Sequence, residues 1–135
     1  MTGGCIFMNG SPVSWRAGRL TFTSLSSCEG EYVAATWLTI DVKVMRYIKE
    51  FFHNQSITEP TVIFCDNKSA VMLSDSNTSS KRMKHIATRI AFLREAIQDK
   101  HVVLYHIRTN GQVADIFTKP LGAATFHTLR PIFLG

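Results

Sequence analysis

Three acidic residues stand at positions from which they could bind a cation together. Asp66 directly follows the apolar run of residues 61–65 and precedes small polar residues, a pattern typical of a strand tip that opens into a helix. Glu31 and Asp115 each fall in the first turn of a predicted helix. Carboxylates gathered at one end of a sheet repel each other unless a hard cation such as Mg²⁺ neutralises them. Two such ions, about 3.5–4 Å apart, would suit in-line phosphodiester cleavage.

Each of these carboxylates also has a simpler structural explanation. A single Asp at the end of a strand is often a helix N-cap, and acidic residues in a first helical turn are favoured by the helix dipole. The metal hypothesis therefore depends on convergence, and it predicts that the carboxylates of Glu31, Asp66 and Asp115 lie together at one end of the sheet.

Positive charge is concentrated in one short segment. Lys81, Arg82, Lys84 and Arg89 lie within nine residues, in a chain with a formal net charge of +5 and a pI near 9.4. This cluster predicts a sequence-independent, salt-sensitive contact to the phosphates of a nucleic-acid duplex. A solvated helix face would explain it equally well, so both interpretations stay open.

The composition is that of an ordinary globular protein. With 135 residues, 45% of them hydrophobic and 19% charged, residues 1–135 are expected to form one domain. Charges interrupt every apolar stretch before about 18 residues, and the N-terminus lacks a signal pattern, so we expect an intracellular protein, cytoplasmic or nuclear, without membrane contact. The three cysteines are expected to be reduced thiols.

The N-terminal part of the sequence predicts a hairpin. Residues 5–8 and 13–16 are short strand-like runs, and residues 9–11 between them have the composition of a tight turn. Residues 20–25 are a candidate extension of this pair.

A long helix and a buried strand are predicted next. Ser26 and Glu29 have the spacing of a capping box, and the helix that follows should end near Phe52. Its apolar stripe consists of Leu38, Val42, Met45, Ile48 and Phe52. The continuous apolar run 61–65 predicts a strand that is buried on both faces.

The second half of the chain also predicts alternating helices and strands. A short helix is predicted over residues 69–73, a strand over 102–107, and two short helices over 112–118 and 125–133. Another long helix, ending near residue 99, is marked at helical spacing by Ile86, Ile90, Leu93 and Ile97.

Five ordered motifs resemble the ribonuclease H (RNase H) domain of Ty1/copia-type retrotransposon Pol polyproteins. They are residues 13–16 (VSWR), 25–35 (LSSCEGEYVAA), 64–70 (FCDNKSA), 84–89 (KHIATR) and 112–121 (QVADIFTKPL). The similarity extends over almost the whole chain.

This resemblance implies an α/β fold, an RNase H-like mixed sheet flanked by helices, that cleaves the RNA strand of an RNA/DNA hybrid with two Mg²⁺ ions. It implies that Glu31 is the metal-bridging helix acid, Asp66 the second-strand carboxylate and Asp115 the late acid that positions a metal. Glu29 is the rival for the role of Glu31. Residues two apart on a helix point about 200° away from each other, and the cap already accounts for Glu29, so we assign the role to Glu31.

The sequence also departs from the family pattern. The family begins with a strand carrying a GYxDAD-like motif, and the present sequence begins downstream of that motif, so we expect an N-terminally truncated domain without the first catalytic carboxylate. Ser80 stands where the family usually has His, and Gly30 where Ala is usual. A Gly inside a helix costs about 1 kcal/mol relative to Ala. We expect activity to be impaired or lost, and Mg²⁺ or Mn²⁺ binding to be weak or absent.

The family places the missing strand in the middle of the sheet, so its loss would leave two interior strands with bare edges. We expect either direct pairing of strands 5–8 and 61–65, or a homodimer through the open sheet edge. Two functions remain open. One is an RNase H-family enzyme acting on RNA/DNA hybrids, and the other is a non-catalytic module that binds nucleic acid or protein.

Overall fold

The computed structural model describes residues 1–19, 27–75 and 86–134, in which small sheets are flanked by helices. The elements, in chain order, are β1 (Thr2–Met8), β2 (Ser11–Gly18), α1 (Ser27–His53), β3 (Thr61–Cys65), α2 (Lys68–Asp75), α3 (Ala87–Gln98), β4 (Val102–His106), two 3-10 segments (Thr109–Gly111 and Val113–Phe117) and α4 (Ala123–Leu134). This mixed α/β arrangement is compatible with an RNase H-like fold, as the sequence predicted.

The predicted N-terminal hairpin is confirmed. β1 and β2 pair antiparallel, and Asn9 and Gly10 connect them with φ angles of 52° and 81°. Two consecutive left-handed residues are the requirement of a type I′ turn, whose twist matches that of the strands it joins. The candidate extension over residues 20–25 lies outside the described residues.

β3 and β4 form a second sheet, in which they pair parallel and in register. The prediction that β3 is buried on both faces is wrong. Ile63 and Cys65 are buried in the core, but Val62 and Phe64 are 44% and 57% exposed. The reason is that the core helices pack against one face of this strand, so that its alternate side chains point away from them.

The main core lies between α1, α3 and the β3–β4 sheet. Its most deeply buried members include Tyr32, Ile86, Leu93 and Val102. The predicted stripe of α3 is confirmed, since Ile90 is also buried and Ile97 is partly buried.

The predicted stripe of α1 is correct only in its first part. Val42 is buried and Leu38 is partly buried, whereas Ile48 and Phe52 are 48% and 76% exposed. Arg46 contacts Thr61, where β3 begins, so the later turns of α1 extend beyond the end of that strand.

The two sheets stay separate in the described part of the chain, because β1 pairs with β2 and β3 with β4. The expectation that residues 5–8 pair directly with residues 61–65 is therefore wrong. α1 keeps the two strands apart: its side chains, with those of β1 and β3, line a groove of about 250 Å³ between the sheets.

β1 and β3 run in opposite directions along α1. Thr2 Oγ1 donates a hydrogen bond of 2.7 Å to the carbonyl of Gly30, so β1 starts beside the N-terminal end of the helix. β3 instead ends there, because Cys65 contacts Glu31.

The C-terminal segment closes the outer side of the hairpin. Phe133 of α4 contacts both Phe7 of β1 and Phe117, with ring centroids 5.6 and 5.0 Å apart. None of the described helices combines the length and the apolar character that crossing a membrane requires.

Candidate functional site

Glu31 lies in the second turn of α1 and faces the end of β3. Cys65 Sγ donates a hydrogen bond of 3.6 Å to Glu31 Oε2, and ligand atoms of Glu31, Cys65 and Asp66 all lie within 4.8 Å of one another. Glu29 is only 2% exposed and is absent from this group. Of the two rival acids, Glu31 is therefore the one that α1 directs towards the strand end.

Asp66 and Asp115 meet at the side chain of Lys119. Asp115 lies in the 3-10 helix Val113–Phe117, and its two carboxylate oxygens are 2.8 and 2.9 Å from Lys119 Nζ. Asp66, directly after β3, is 3.9 Å from the same nitrogen. Both carboxylates are largely shielded from solvent, with 14% and 13% of their side chains exposed. The structure thus brings all three predicted acids to one end of the domain.

The electrostatics of this cluster disfavour a third negative charge. Burial raises the pKa of Glu31, and the charge of Asp66 raises it further. The hydrogen bond from Cys65 and the charge of Lys119 lower the pKa of Glu31, whereas the charge of Asp115 raises it. The net result is a raised pKa. The pKa of Lys119 is raised as well, chiefly by its hydrogen bond to Asp115. A positive charge at this place is therefore favoured by its surroundings.

Cys65 acts here as a hydrogen-bond donor. Burial raises the pKa of its thiol to about 12, so the sulfur keeps its proton at neutral pH. A protonated sulfur is a poor ligand for Mg²⁺, which prefers oxygen. Carboxylate oxygens are accordingly the donors that fit a hard cation in this cluster, and the thiol orients one of them.

The arrangement has the chemistry of a small divalent-cation site whose charge is now partly balanced by a lysine. Three carboxylates on three separate segments could supply oxygen ligands, and water and phosphate oxygens usually complete the shell of Mg²⁺. The ammonium of Lys119 already pairs with one of these carboxylates and lies near a second. An incoming cation has to compete with that ammonium, so the residues fit a weak site.

Sequence comparison shows that the chain is similar to parts of mobile-element polyproteins. It is 33% identical over 132 residues to the Retrovirus-related Pol polyprotein from transposon TNT 1-94 of Nicotiana tabacum, covering 97% of the chain and 10% of that polyprotein. It is 32% identical over 124 residues to the corresponding polyprotein from transposon RE1 of Arabidopsis thaliana, covering 90% and 8%. The homologues of this chain are retrotransposon Pol polyproteins.

A more distant relative is the Transposon Ty1-JR2 Gag-Pol polyprotein of Saccharomyces cerevisiae, 26% identical over 128 residues that cover 94% of the chain and 7% of the polyprotein. The chain thus spans a tenth or less of the length of the relatives it matches. No protein-family model and no solved structure matches the chain.

The structure describes the basic cluster only in part. Lys81, Arg82 and Lys84 lie outside the described residues. Arg89 lies in the first turn of α3 and is half-buried. The nucleic-acid contact predicted for these four residues stays a prediction.

Two members of the site were missed by sequence reasoning. Lys119 stands four residues after Asp115, the spacing at which opposite charges meet on a helix, so the ion pair had a sequence signal. Cys65 had no such signal, because it was one residue of an apolar run and its neighbour Glu31 is 34 positions away.

Proposed function

We propose that the chain is a retrotransposon-derived RNase H-like domain whose acidic cluster binds Mg²⁺ or Mn²⁺ with low affinity. The observation that carries the proposal is the convergence of three acids from distant segments: Glu31 lies beside Asp66, and Asp66 and Asp115 meet at Lys119. A structural role for each acid singly would not require the three to meet. The sequence similarity to retrotransposon Pol polyproteins supports the same assignment.

The proposed substrate is a nucleic-acid duplex, with the RNA strand of an RNA/DNA hybrid as the scissile strand. A divalent cation bound by the three carboxylates would polarise a phosphate oxygen and activate a water molecule. The net charge of +5 favours association with a polyanion. We assign the duplex contact to Lys81, Arg82, Lys84 and Arg89.

The proposed activity is low or absent in the isolated chain. Lys119 holds Asp115 in a short ion pair, so this carboxylate is already paired with a cation. The pKa of Glu31 is raised, so the folded chain disfavours its ionised form. These two observations also favour the second candidate function, a non-catalytic module that binds nucleic acid or protein. The enzyme and a nucleic-acid-binding module share the duplex contact and differ in cleavage.

Calorimetric titration with Mn²⁺ tests the metal site. We expect weak binding to the wild-type chain and at least a tenfold loss of affinity in Asp66→Asn, which removes one ligand charge. The exposed residue Glu95 lies outside the cluster, so Glu95→Gln is a control with the same change of charge. Equal affinity in the Asp66→Asn and Glu95→Gln variants would contradict the proposal.

Fluorescence anisotropy and gel assays with a labelled RNA/DNA hybrid test the substrate. We expect binding that weakens from low to physiological salt and that is reduced when the four cluster residues are changed to Gln. A matched control neutralises four exposed basic residues elsewhere: Lys49, Lys100, Arg108 and Arg130.

Equal loss of hybrid binding in the two neutralised variants would contradict the assigned contact. Cleavage of the RNA strand in Mg²⁺ that Asp66→Asn abolishes would establish the enzyme and refute the expectation of low activity. Binding without cleavage would favour the non-catalytic module.

A further inference from the structure

The outer face of α1, on the side away from the core, is apolar and exposed. Six large side chains, each between 45% and 76% exposed, form this face: Ile40, Val44, Tyr47, Ile48, Phe51 and Phe52. Their spacing of three or four residues puts them on one side of the helix, about 180° from the buried Val42. A surface helix of a monomer usually carries polar residues on that side. The outer face of α1 therefore has the pattern of a second buried side.

The area of the outer face is large enough for a stable interface. With about 200 Å² for a whole aromatic residue and about 170 Å² for Ile or Val, the six residues expose about 700 Å². The largest apolar patch of a typical monomer is about 300–600 Å². Two copies of the face that cover each other bury about 1,400 Å² in total, and stable complexes bury about 1,200–2,000 Å². One further copy of the same surface is thus sufficient to cover it.

We propose that two copies of this chain associate through the outer faces of their α1 helices, packed antiparallel about a two-fold axis near Tyr47. The aromatic side chains of Tyr47, Phe51 and Phe52 are the anchors of this contact, because large aromatic residues dominate the binding energy of interfaces. Phe51 and Phe52 already contact each other edge to face, with ring centroids 5.5 Å apart. They therefore form one projecting aromatic unit on each copy.

A cleft beside the outer face favours a closed pair of chains. Its lining includes Met8, Met45, Ile48, Phe52 and His53, and its volume is about 390 Å³. Two of these residues also belong to the outer face. A projecting group and a receiving cleft on the same surface make a contact that closes on itself in a two-fold pair, whereas placement on opposite sides would give an open fibre.

The charges beside the outer face determine the direction of the two helices. Lys43 and Glu50 are seven residues apart, so they lie on the same edge of this face, next to Tyr47. In an antiparallel pair Lys43 of each copy faces Glu50 of the other, and a parallel pair instead puts like charges opposite each other. Within its own chain Lys43 lies over the ring of Phe92, and Glu50 accepts a hydrogen bond from the Ile57 amide. These rim charges therefore select orientation more than they add affinity.

A membrane surface fits the outer face less well than a second copy does. Helices that lie on membranes have a polar side rich in Lys and Arg. The charged residues beside the outer face are of both signs: Asp41, Lys43, Lys49 and Glu50. The opposite side of α1 is held in the core.

This pair also differs from a homodimer through an open sheet edge, because the strands pack on the core side of α1. The inference does not use the acidic cluster, so it stands whether or not that cluster binds metal.

Sedimentation equilibrium of the full chain over a series of concentrations measures the association. We expect a monomer–dimer equilibrium whose dissociation constant rises at least tenfold when Tyr47 and Phe51 are both changed to Glu. The control changes Phe64 and Tyr105, which are exposed aromatic residues on the outer side of the β3–β4 sheet, to Glu. We expect this control to leave the dissociation constant unchanged. Circular dichroism checks that both variants fold.

Cysteine cross-linking locates the two-fold axis without disturbing the charge of the surface. In Tyr47→Cys the two introduced thiols face each other, so oxidation should give a covalent dimer. In Ile40→Cys the two introduced thiols are about 20 Å apart along the pair, and a disulfide needs Cα atoms within about 7 Å. The wild-type chain, with its native Cys5, Cys28 and Cys65, is the control for other disulfides. If a Glu variant does not fold, this experiment still decides the question.

Four results would overturn the inference. The first is a chain that stays monomeric at its highest soluble concentration, and the second is a dimer that the control pair of substitutions weakens as much as the pair on α1. The third is cross-linking of Ile40→Cys as fast as that of Tyr47→Cys. The fourth is an assembly that grows beyond two copies, because a two-fold contact closes.

Discussion

Polar groups gather at both ends of the contact between α1 and β3, and the two ends are built on opposite principles. At the far end, Arg46 donates to the carbonyls of Ile57 and Glu59, both at 2.7 Å, and to Thr61 Oγ1 at 3.2 Å. Glu50 accepts a hydrogen bond of 2.7 Å from the amide of Ile57 in the same loop. This end has a buried cation whose donors meet neutral acceptors.

At the near end, the partly exposed Lys119 pairs with Asp115 and lies near Asp66, and the charges of all three groups act on the Glu31 carboxylate. Like charges there raise the energy of the folded chain, whereas at the Arg46 end each contact lowers it. The two clusters therefore have different roles. A satisfied polar cluster fixes the structure, and an under-neutralised one is suited to bind an ion.

The largest effect on stability is expected at the Arg46 cluster, where the polar groups are hydrogen-bonded. Arg46→Met removes the donors and leaves two backbone carbonyls without their partner, so the free energy of unfolding should fall by about 2–4 kcal/mol. Urea denaturation measures this loss. The control Lys49→Met, on an exposed position of the same helix, should change stability by less than about 0.5 kcal/mol. A similar loss in both variants would remove the distinction between the two ends.

The next effect concerns the lysine at the acidic end. Lys119→Gln removes the ammonium that competes with an incoming cation, so Mn²⁺ affinity should rise about tenfold, or about 1.4 kcal/mol. Calorimetry measures the affinity, with the exposed Lys100→Gln as the control of equal charge. Weaker Mn²⁺ binding in Lys119→Gln than in the control would show that the lysine supports the ion.

A smaller effect is expected in the pH dependence of stability. In the folded chain the pKa of Glu31 is raised above its ordinary value of 4.5. As pH rises, the unfolded state therefore loses this proton at a lower pH than the folded state does. The contribution of Glu31 to stability is therefore fully present below about pH 4.5 and is lost as pH rises through the folded pKa. Glu31→Gln should remove this decline.

Urea denaturation of both chains between pH 4 and pH 8 measures the difference. The stability of wild type relative to Glu31→Gln should fall as pH rises, and saturating Mn²⁺ should reduce the fall if the carboxylate binds the ion. A difference that grows with pH in favour of wild type would mean that the folded cluster favours the ionised carboxylate.

The smallest effect is expected at Tyr32, which lies next to Glu31 in α1. Its hydroxyl is buried without a hydrogen-bond partner among the described residues, and burial raises its pKa well above the ordinary value of 10. Tyr32→Phe should leave stability unchanged or raise it by up to about 1 kcal/mol, because an unsatisfied polar group is removed. A loss of more than about 1 kcal/mol by thermal or urea unfolding would show that the hydroxyl has a partner in solution.

Much of this molecule was predictable from the sequence, because local chemistry determines it. Asn9 and Gly10 favour left-handed conformations and so fix the hairpin turn. Helical spacing identified Ile86, Ile90 and Leu93 as the buried side of α3. The choice of Glu31 over Glu29 followed from the angle between residues two apart on a helix and from the assignment of Glu29 to the cap.

Other features were decided only by the tertiary structure. An apolar run such as that of β3 is the same in sequence whether other elements cover one face of the strand or both. Val62 and Phe64 are exposed because α1 packs on the opposite face and no described element covers theirs. The exposure of Phe52 likewise depends on where β3 begins.

The acidic cluster combines both kinds of information. The sequence supplied the candidates, since carboxylates at element ends can be found by pattern. Their distances, the proton kept by Cys65 and the place of Lys119 between Asp66 and Asp115 depend on segments far apart in the chain. Local pattern determines which residues are able to bind a cation, whereas the balance of charge among them is a through-space quantity that only the folded chain defines.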